Sequence, residues 1–221
     1  MTADDQFDNP RPESMRTLVI DSATEACSVA LFDGGNLVAG EFRMLGRGHA
    51  EALVPMISAL PERGRADCIA VALGPGSFTG VRVGLATARA LALAWGAETR
   101  GYSSLAMIAS MARAEHGEVP VAVAMTGGHG EWFTQGFAPN GETTRPLASL
   151  KPDVAAQAST EALVAGNQAK ALVDKRGNGD ALEIWPDARA FARLPQQAFL
   201  ADLHPVYGRE PDAILPLAKQ V

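Results

Sequence analysis

A chain of 221 residues that is 47% apolar and carries a formal charge of −6 is long enough to bury roughly 70% of its unfolded surface, as one large or two small domains, without metal or disulfide staples. The acidic balance excludes broad, sequence-independent binding to nucleic acid, which depends on lysine and arginine neutralising phosphates. Residues 1–15 are polar and acidic and lack the basic and apolar regions of a secretory leader. They read as a disordered tail on a cytoplasmic protein, and no apolar run reaches the length of a membrane span.

A first lobe is predicted over residues 16–115. Residues 17–20 form a short apolar strand ending at Asp21. After Ser22-Ala23-Thr24-Glu25 a second strand, 27–32, runs into Asp33-Gly34-Gly35-Asn36, a strong hairpin signal. Residues 37–43 form a third strand. Over residues 49–60 apolar positions recur with helical period, so the segment is an amphipathic helix that Pro55 should bend or shorten, because an interior proline costs about 3 kcal/mol. Residues 69–73 are a continuous apolar run bounded by turn residues, the pattern of a central strand, and 81–95 is an almost wholly apolar helix. A strand near 99–102 and a helix over 104–115 complete the order βββαβαβα, which predicts a mixed sheet, antiparallel at one edge and parallel beyond it. Cys27 and Cys68 lie in apolar strand patterns with no C-x-x-C and no neighbouring histidine, and read as buried thiols of a reducing compartment.

Residues 116–204 form the second lobe. Strands over 119–124 and 131–137 repeat the opening strand–turn–strand layout, so this lobe reads as an abbreviated duplicate, with short strands at 162–165 and 182–185 and no clear pattern over 168–180. Residues 205–221 are a tail rich in proline and charge.

The chemistry concentrates in Gly74-Pro75-Gly76-Ser77-Phe78-Thr79-Gly80, which joins the central strand to the apolar helix. Gly74, Gly76 and Gly80 are free to take positive φ, and the first helical N–H groups beyond a cap at Ser77 or Thr79 are suited to hold a phosphate against the helix dipole. The alternative is a tight turn with close helix–strand packing, and the spacing matches neither G-x-G-x-x-G nor a P-loop. Asp21, at the C-terminal tip of the first strand, is the best single acid candidate, since strand tips surround the ligand crevice of α/β sheets; a turn cap is the other reading. Ser77 lies outside a G-x-S-x-G elbow, so no serine triad is visible. His49, His116, His129 and His204 form no H-E-x-x-H or H-x-x-x-H pair and offer no metal ligand set. The long helix carries two apolar stripes, one of Val81, Leu85, Ala88, Ala92 and Trp95 and one of Val83, Ala86, Ala90 and Leu93. A helix covering one sheet face needs only one, so the surplus must meet another helix or a second protein.

Three segments, Leu18-Val19-Ile20-Asp21-Ser22-Ala23-Thr24-Glu25-Ala26-Cys27-Ser28-Val29-Ala30, His49-Ala50-Glu51 and the glycine loop through Val81-Arg82, together closely resemble the TsaB (YeaZ) family. The likeness is dense over residues 17–108, weaker at Gly130-Glu131-Trp132-Phe133, and returns at Pro205-Val206-Tyr207-Gly208-Arg209-Glu210-Pro211-Asp212-Ala213. It implies an α/β actin-like ATPase domain fold (the ASKHA, ribonuclease H-like architecture) with two lobes, in agreement with the βββαβαβα order. It also implies a part in making threonylcarbamoyladenosine (t6A) at position 37 of tRNA, as a non-catalytic subunit that binds and activates TsaD. In the family, TsaD carries out the transfer with a metal held by H-x-x-x-H, a motif this chain lacks, and TsaE is a third, ATP-hydrolysing component. The resemblance further implies a homodimer when the chain is alone, and tRNA met only through the complex. It implies no catalytic residue, no resident metal and no required cofactor, with ATP or ADP bound at most at the complex interface. The glycoprotease-like (peptidase M22-like) label that follows this fold is not read as an activity.

The partner surface implied by the resemblance lies on the first two helices, at His49, Ala50, Leu53, Val54 and Ile57 and at Val81, Arg82, Leu85, Ala88, Arg89, Ala92 and Trp95. On that reading Leu53→Glu or Ala88→Arg abolishes assembly and leaves the monomer folded. One departure is that the acid and arginine of the family before the second lobe's Gly-Glu are replaced by Thr126-Gly127-Gly128. The rival readings are a nucleotide-binding ATPase or kinase-like enzyme, with Asp21, Gly74, Gly76, Ser77, Thr79 and Gly80 facing phosphates, and a metalloprotease.

Overall fold

The computed structural model describes residues 15–208. The tail expected over 1–15 (Met15 apart), the 209–213 end of the C-terminal motif and most of the 205–221 tail lie outside the described residues.

In the first lobe β1 (Arg16–Asp21), β2 (Ala26–Asp33) and β3 (Asn36–Met44) form an antiparallel meander, turning between β2 and β3 on Gly34 and Gly35, both at positive φ. Helix α1 (His49–Ala59) returns the chain to β4 (Cys68–Ala72), parallel to β1, and α2 (Phe78–Trp95) leads to β5 (Glu98–Tyr102), parallel to β4. The sheet order is β11-β5-β4-β1-β2-β3. Its central strands are apolar without alternation because both faces are covered. Leu18, Ile20, Ile69 and Val71 point to the face packed by α1 and α2, and Val19, Ala70 and Ala72 to the other, where Tyr102, Met107 and Phe191 lie. Pro55 sits inside α1 without ending it.

After α3 (Ser104–His116) the second lobe repeats the plan strand for strand. β6 (Val121–Thr126), β7 (Trp132–Phe137), β8 (Thr143–Leu150), α4 (Pro152–Ala158), β9 (Leu163–Ala165), α5 (Ala169–Arg176) and β10 (Asp180–Leu182) give the order β10-β9-β6-β7-β8. This matches β5-β4-β1-β2-β3, so the duplicate is shortened in its helices and last strands yet complete in topology. Two differences from the sequence reading follow from weak local signals. The patternless stretch at 168–180 contains α5, where Ala169 and Leu172 are the buried residues of an otherwise polar helix. The strand read at 182–185 lies at Asp180–Leu182, fixed by parallel pairing with β9.

The lobes are not separated by a single cut. Leu105, Ile108 and Ala112 of α3 pack on the second sheet while Met107 packs on the first. A 3₁₀ segment (Ala188–Arg193) and β11 (Phe199–Leu200) bring the chain back to the first lobe, β11 pairing with β5. Residues 188–204, expected in the second lobe, therefore pack largely on the first, with Leu194 and Ala198 also against the core of the second.

Candidate functional site

The repeated lobes face each other across a cleft of about 660 Å³. Equivalent turns form its walls: the β1–β2 turn at Ala23, Thr24 and Glu25, and the β6–β7 turn at Thr126, Gly127, Gly128 and His129. The loop from Pro75 to Phe78 and the segment from Pro205 to Gly208 complete the rim.

Asp21 does not line this cleft. It is 1% exposed, its Oδ1 accepts from the Ala23 N–H at 3.0 Å, and its Oδ2 lies 3.2 Å from the Tyr102 hydroxyl. Burial pushes its carboxyl up to about 7, against the opposing effect of the Ala23 and Tyr102 hydrogen bonds, with Asp187 adding a like-charge contribution. Tyr102 Oη is also 3.2 Å from the Ile20 carbonyl. Its one hydrogen serves a single acceptor, so a protonated Asp21 completes the set. The acid expected to meet a ligand is a buried turn cap instead, and the phosphate-facing role given to it by the ATPase reading is corrected accordingly.

The glycine loop is bound to the chain's own backbone. The Ser77 N–H donates to the Ala23 carbonyl at 2.6 Å, the Ser22 hydroxyl donates to the Gly80 carbonyl at 2.8 Å, and Ser77 Oγ caps α2 by accepting from the Gly80 N–H. Of the three glycines expected at positive φ, Gly74 alone has it, at +92°. Gly76 and Gly80 are required for contact: a Cβ would lie 1.9 Å from the Ala23 carbonyl oxygen and 2.1 Å from that of Ser22. Close packing therefore accounts for these glycines. Gly76 and Ser77 still reach the cleft, whereas Gly74, Thr79 and Gly80 do not line it.

Across the cleft the β9–α5 loop plays the corresponding part. Gly166, at φ +116°, leaves no room for a Cβ beside the Ala124 carbonyl, and the Gln168 N–H donates to that carbonyl. Asn167 then spans the lobes. Its Oδ1 accepts from the Thr126 N–H at 2.8 Å, and its Nδ2 donates to Thr126 Oγ1 and, at 2.6 Å, to Glu25 Oε1. Burial opposes the charge of Glu25, but the Trp185 indole, its own amide, Asn167 and His49 together outweigh this and hold its carboxyl below the ordinary glutamate range. Neither Glu25 nor Asn167 stood out in the sequence, because a contact across 142 positions leaves no local signal.

At the rim, Phe78 and Tyr207 are 67% and 50% exposed, with ring centroids 6.4 Å apart. The Arg82 guanidinium lies 3.2 Å from the Phe78 ring centroid and donates to the Tyr207 hydroxyl. The segment carrying Tyr207 is anchored by the Val206 N–H on the Leu73 carbonyl and by Arg89 on the Leu203 carbonyl.

The side chains expected at a partner surface divide sharply. Leu53, Ile57, Val81, Leu85, Ala88 and His49 are buried in the chain's own core, and His49 Nε2 lies 3.3 Å from the Ala26 carbonyl. Ala50, Val54, Arg82 and Arg89 face outward, and Ala92 and Trp95 are half-buried. Of the stripe of Val83, Ala86, Ala90 and Leu93, the last three are turned away from the sheet, Leu93 being 89% exposed, whereas Val83 is half-buried and packs against the first-lobe core. The expectation that Leu53→Glu and Ala88→Arg leave the monomer folded is corrected by this burial.

Cys27 and Cys68 are buried, and burial pushes the Cys27 thiol up to about 12. Among the described residues no group of three or more His, Cys, Asp or Glu converges as a metal site, and no helix is long and apolar enough to cross a membrane.

Residues 43–181 match the family model described as TsaD, tRNA N6-adenosine threonylcarbamoyltransferase. The tRNA threonylcarbamoyladenosine biosynthesis protein TsaB of Escherichia coli (strain K12) is 36% identical over 151 residues, covering 63% of this chain and 64% of that protein, so the chain spans a little under two thirds of this relative's length. Two solved structures from Pseudomonas aeruginosa share the fold. One, described as similar to peptidase YEAZ, has a TM-score of 0.74 at 29% identity and covers 88% of this chain and 100% of its own. The other, YeaZ, has a TM-score of 0.73 at 27% identity over 87% and 99%. With a family model matched over more than half its length and a fold shared with the YeaZ structures, the chain belongs to the tRNA N6-adenosine threonylcarbamoyltransferase family, among its TsaB (YeaZ) members.

Proposed function

We propose that the chain is a non-catalytic subunit that binds a TsaD-type partner and activates threonylcarbamoyl transfer to adenosine 37 of tRNA. The observation that carries this reading is the outward face of the α1–α2 pair, where Val54 is 53% and Leu93 89% exposed beside Ala50, Ala86 and Ala90. The opposite sides of both helices already fill the core beneath them. Exposed aliphatic side chains on two adjacent helices suit a helical partner. A specific interface of this kind buries about 1,600 Å² in all. In this reading TsaE joins as the ATP-hydrolysing component in the cytoplasm, tRNA is met through the complex, ATP or ADP has its place at the joint surface, and without the partner a second copy covers the same face.

The test is size-exclusion chromatography of the chain with a TsaD-type partner. Leu93→Arg and Val54→Glu are expected to abolish co-elution while shifting stability by no more than about 0.5 kcal/mol, as for exposed positions generally. Co-elution of either variant at wild-type strength overturns the proposed surface.

A further inference from the structure

The cleft has the size and lining of a small-molecule site, for pockets of about 300–1,000 Å³ that are mostly apolar with a few convergent polar groups are the usual form. Its walls carry Pro75, Val81, Met125, Phe133 and Val206, and its rim carries the two exposed rings of Phe78 and Tyr207. Exposed aromatic rings at the mouth of an apolar cleft are stacking surfaces, and the Arg82 guanidinium, 3.2 Å from the Phe78 centroid and 5.4 Å from that of Tyr207, occupies one face of each ring and leaves the opposite face for a flat guest.

The charges restrict what that guest carries. Arg82 is the one guanidinium or ammonium among the described lining residues, and it is engaged by Phe78 and Tyr207. Among the described residues no lysine lines the cleft. The Glu25 carboxylate stands in the wall, its carboxyl held below the ordinary glutamate range by its surroundings. Of the amides at the start of α2, those of Ser77 and Gly80 are committed within the chain. For the edge of a ring, the Thr24 and Ser77 hydroxyls and the Glu25 carboxylate offer donors and acceptors.

We propose that the cleft binds a planar, uncharged heteroaromatic ring, a nucleobase or nucleoside without phosphates, stacked on the Phe78–Tyr207 rim. The ring has two possible sources, a free nucleoside or an unstacked base of an RNA strand, and both present the same chemistry to the site.

Isothermal titration calorimetry with adenosine, ATP and a single-stranded hexamer of adenylate tests this directly. Adenosine is expected to bind, and ATP to bind at least about tenfold more weakly because its phosphates meet Glu25 without a compensating lysine. Phe78→Ala and Tyr207→Ala are each expected to weaken adenosine about tenfold or more, since a base–aromatic stack is worth about 1–3 kcal/mol and 1.4 kcal/mol is tenfold, whereas Phe78→Trp keeps the binding. Phe78 is exposed, so unchanged melting of its variants separates a lost stack from a lost fold. Hexamer binding as tight as adenosine supports the site with RNA as the source, and adenosine binding without the hexamer supports it with the free nucleoside. Absence of adenosine binding, ATP binding at least as tight as adenosine, or adenosine binding indifferent to Phe78→Ala overturns the proposal. None of these results bears on the α1–α2 surface, which is read by co-elution.

Discussion

Asp21 shows how a residue type and its place on a strand can suggest one chemistry while its surroundings dictate another. Its carboxyl is pushed up to about 7 by burial, so the folded chain holds a proton that the unfolded chain releases near pH 4. The sign follows: this group adds most to stability below the unfolded value, and its contribution falls as pH rises through the window from about 4 to 7 and is flat above. Glu25 works in the other direction, its lowered carboxyl stabilising the fold above the ordinary glutamate range and losing that contribution as the medium is acidified. A comparison of parent and variant isolates Asp21. Asp21→Asn keeps an acceptor for the Ala23 N–H and removes the buried charge. It is therefore expected to melt higher than the parent at pH 8, by the equivalent of roughly 1–3 kcal/mol, with the advantage shrinking towards pH 4. Thermal melts across pH 4–8 that run parallel for the two proteins contradict the account.

Helix α2 has two unlike sides, and the difference between them is what an element-level experiment reads. Ala88 is fully buried beside Leu85, Ile69 and Val71. Ala88→Arg therefore forces an unpaired charge into packed side chains, at a cost of about 3 kcal/mol or more. That corresponds to a drop in melting temperature of roughly 10 °C for a protein of this size. The Leu93→Arg change on the outer face, by contrast, meets solvent. Calorimetric melting of the two variants side by side checks the assignment, and a stable, cooperative Ala88→Arg protein refutes it. The periodicity of α2 was legible because Leu, Val and Ala recur at helical spacing, and so were two stripes. Which of them turns inward was not, since either satisfies the period and only the sheet beneath decides.

At the scale of the whole molecule, Asn167 joins the lobes by serving Thr126 on its own side and Glu25 on the other. Asn167→Ala leaves a half-buried carboxylate short of a donor, which costs about 1.5–3 kcal/mol for a hydrogen bond to a charged group. The Glu25 carboxyl is then expected to titrate at higher pH in an NMR titration, and the amides of the two cleft turns to exchange faster. An unmoved Glu25 titration contradicts the role of Asn167 in tying the lobes together.

The βββαβαβα succession of the first lobe, the hairpin at Gly34-Gly35, the strand–loop–helix at Gly74 to Gly80 and the duplicated opening of the second lobe were all determined by the amino-acid sequence, because each rests on hydrophobic period and turn chemistry within a few residues. Only the tertiary structure decided that Gly76 and Gly80 serve contact with the Ala23 and Ser22 carbonyls, that Asp21 is sealed off, and that residues 188–200 return to the first sheet. It alone brought Arg82 and Tyr207, 125 positions apart, to one cleft. These outcomes depend on which surfaces are left uncovered once two sheets and α3 have packed, and a local pattern of residues carries no record of that.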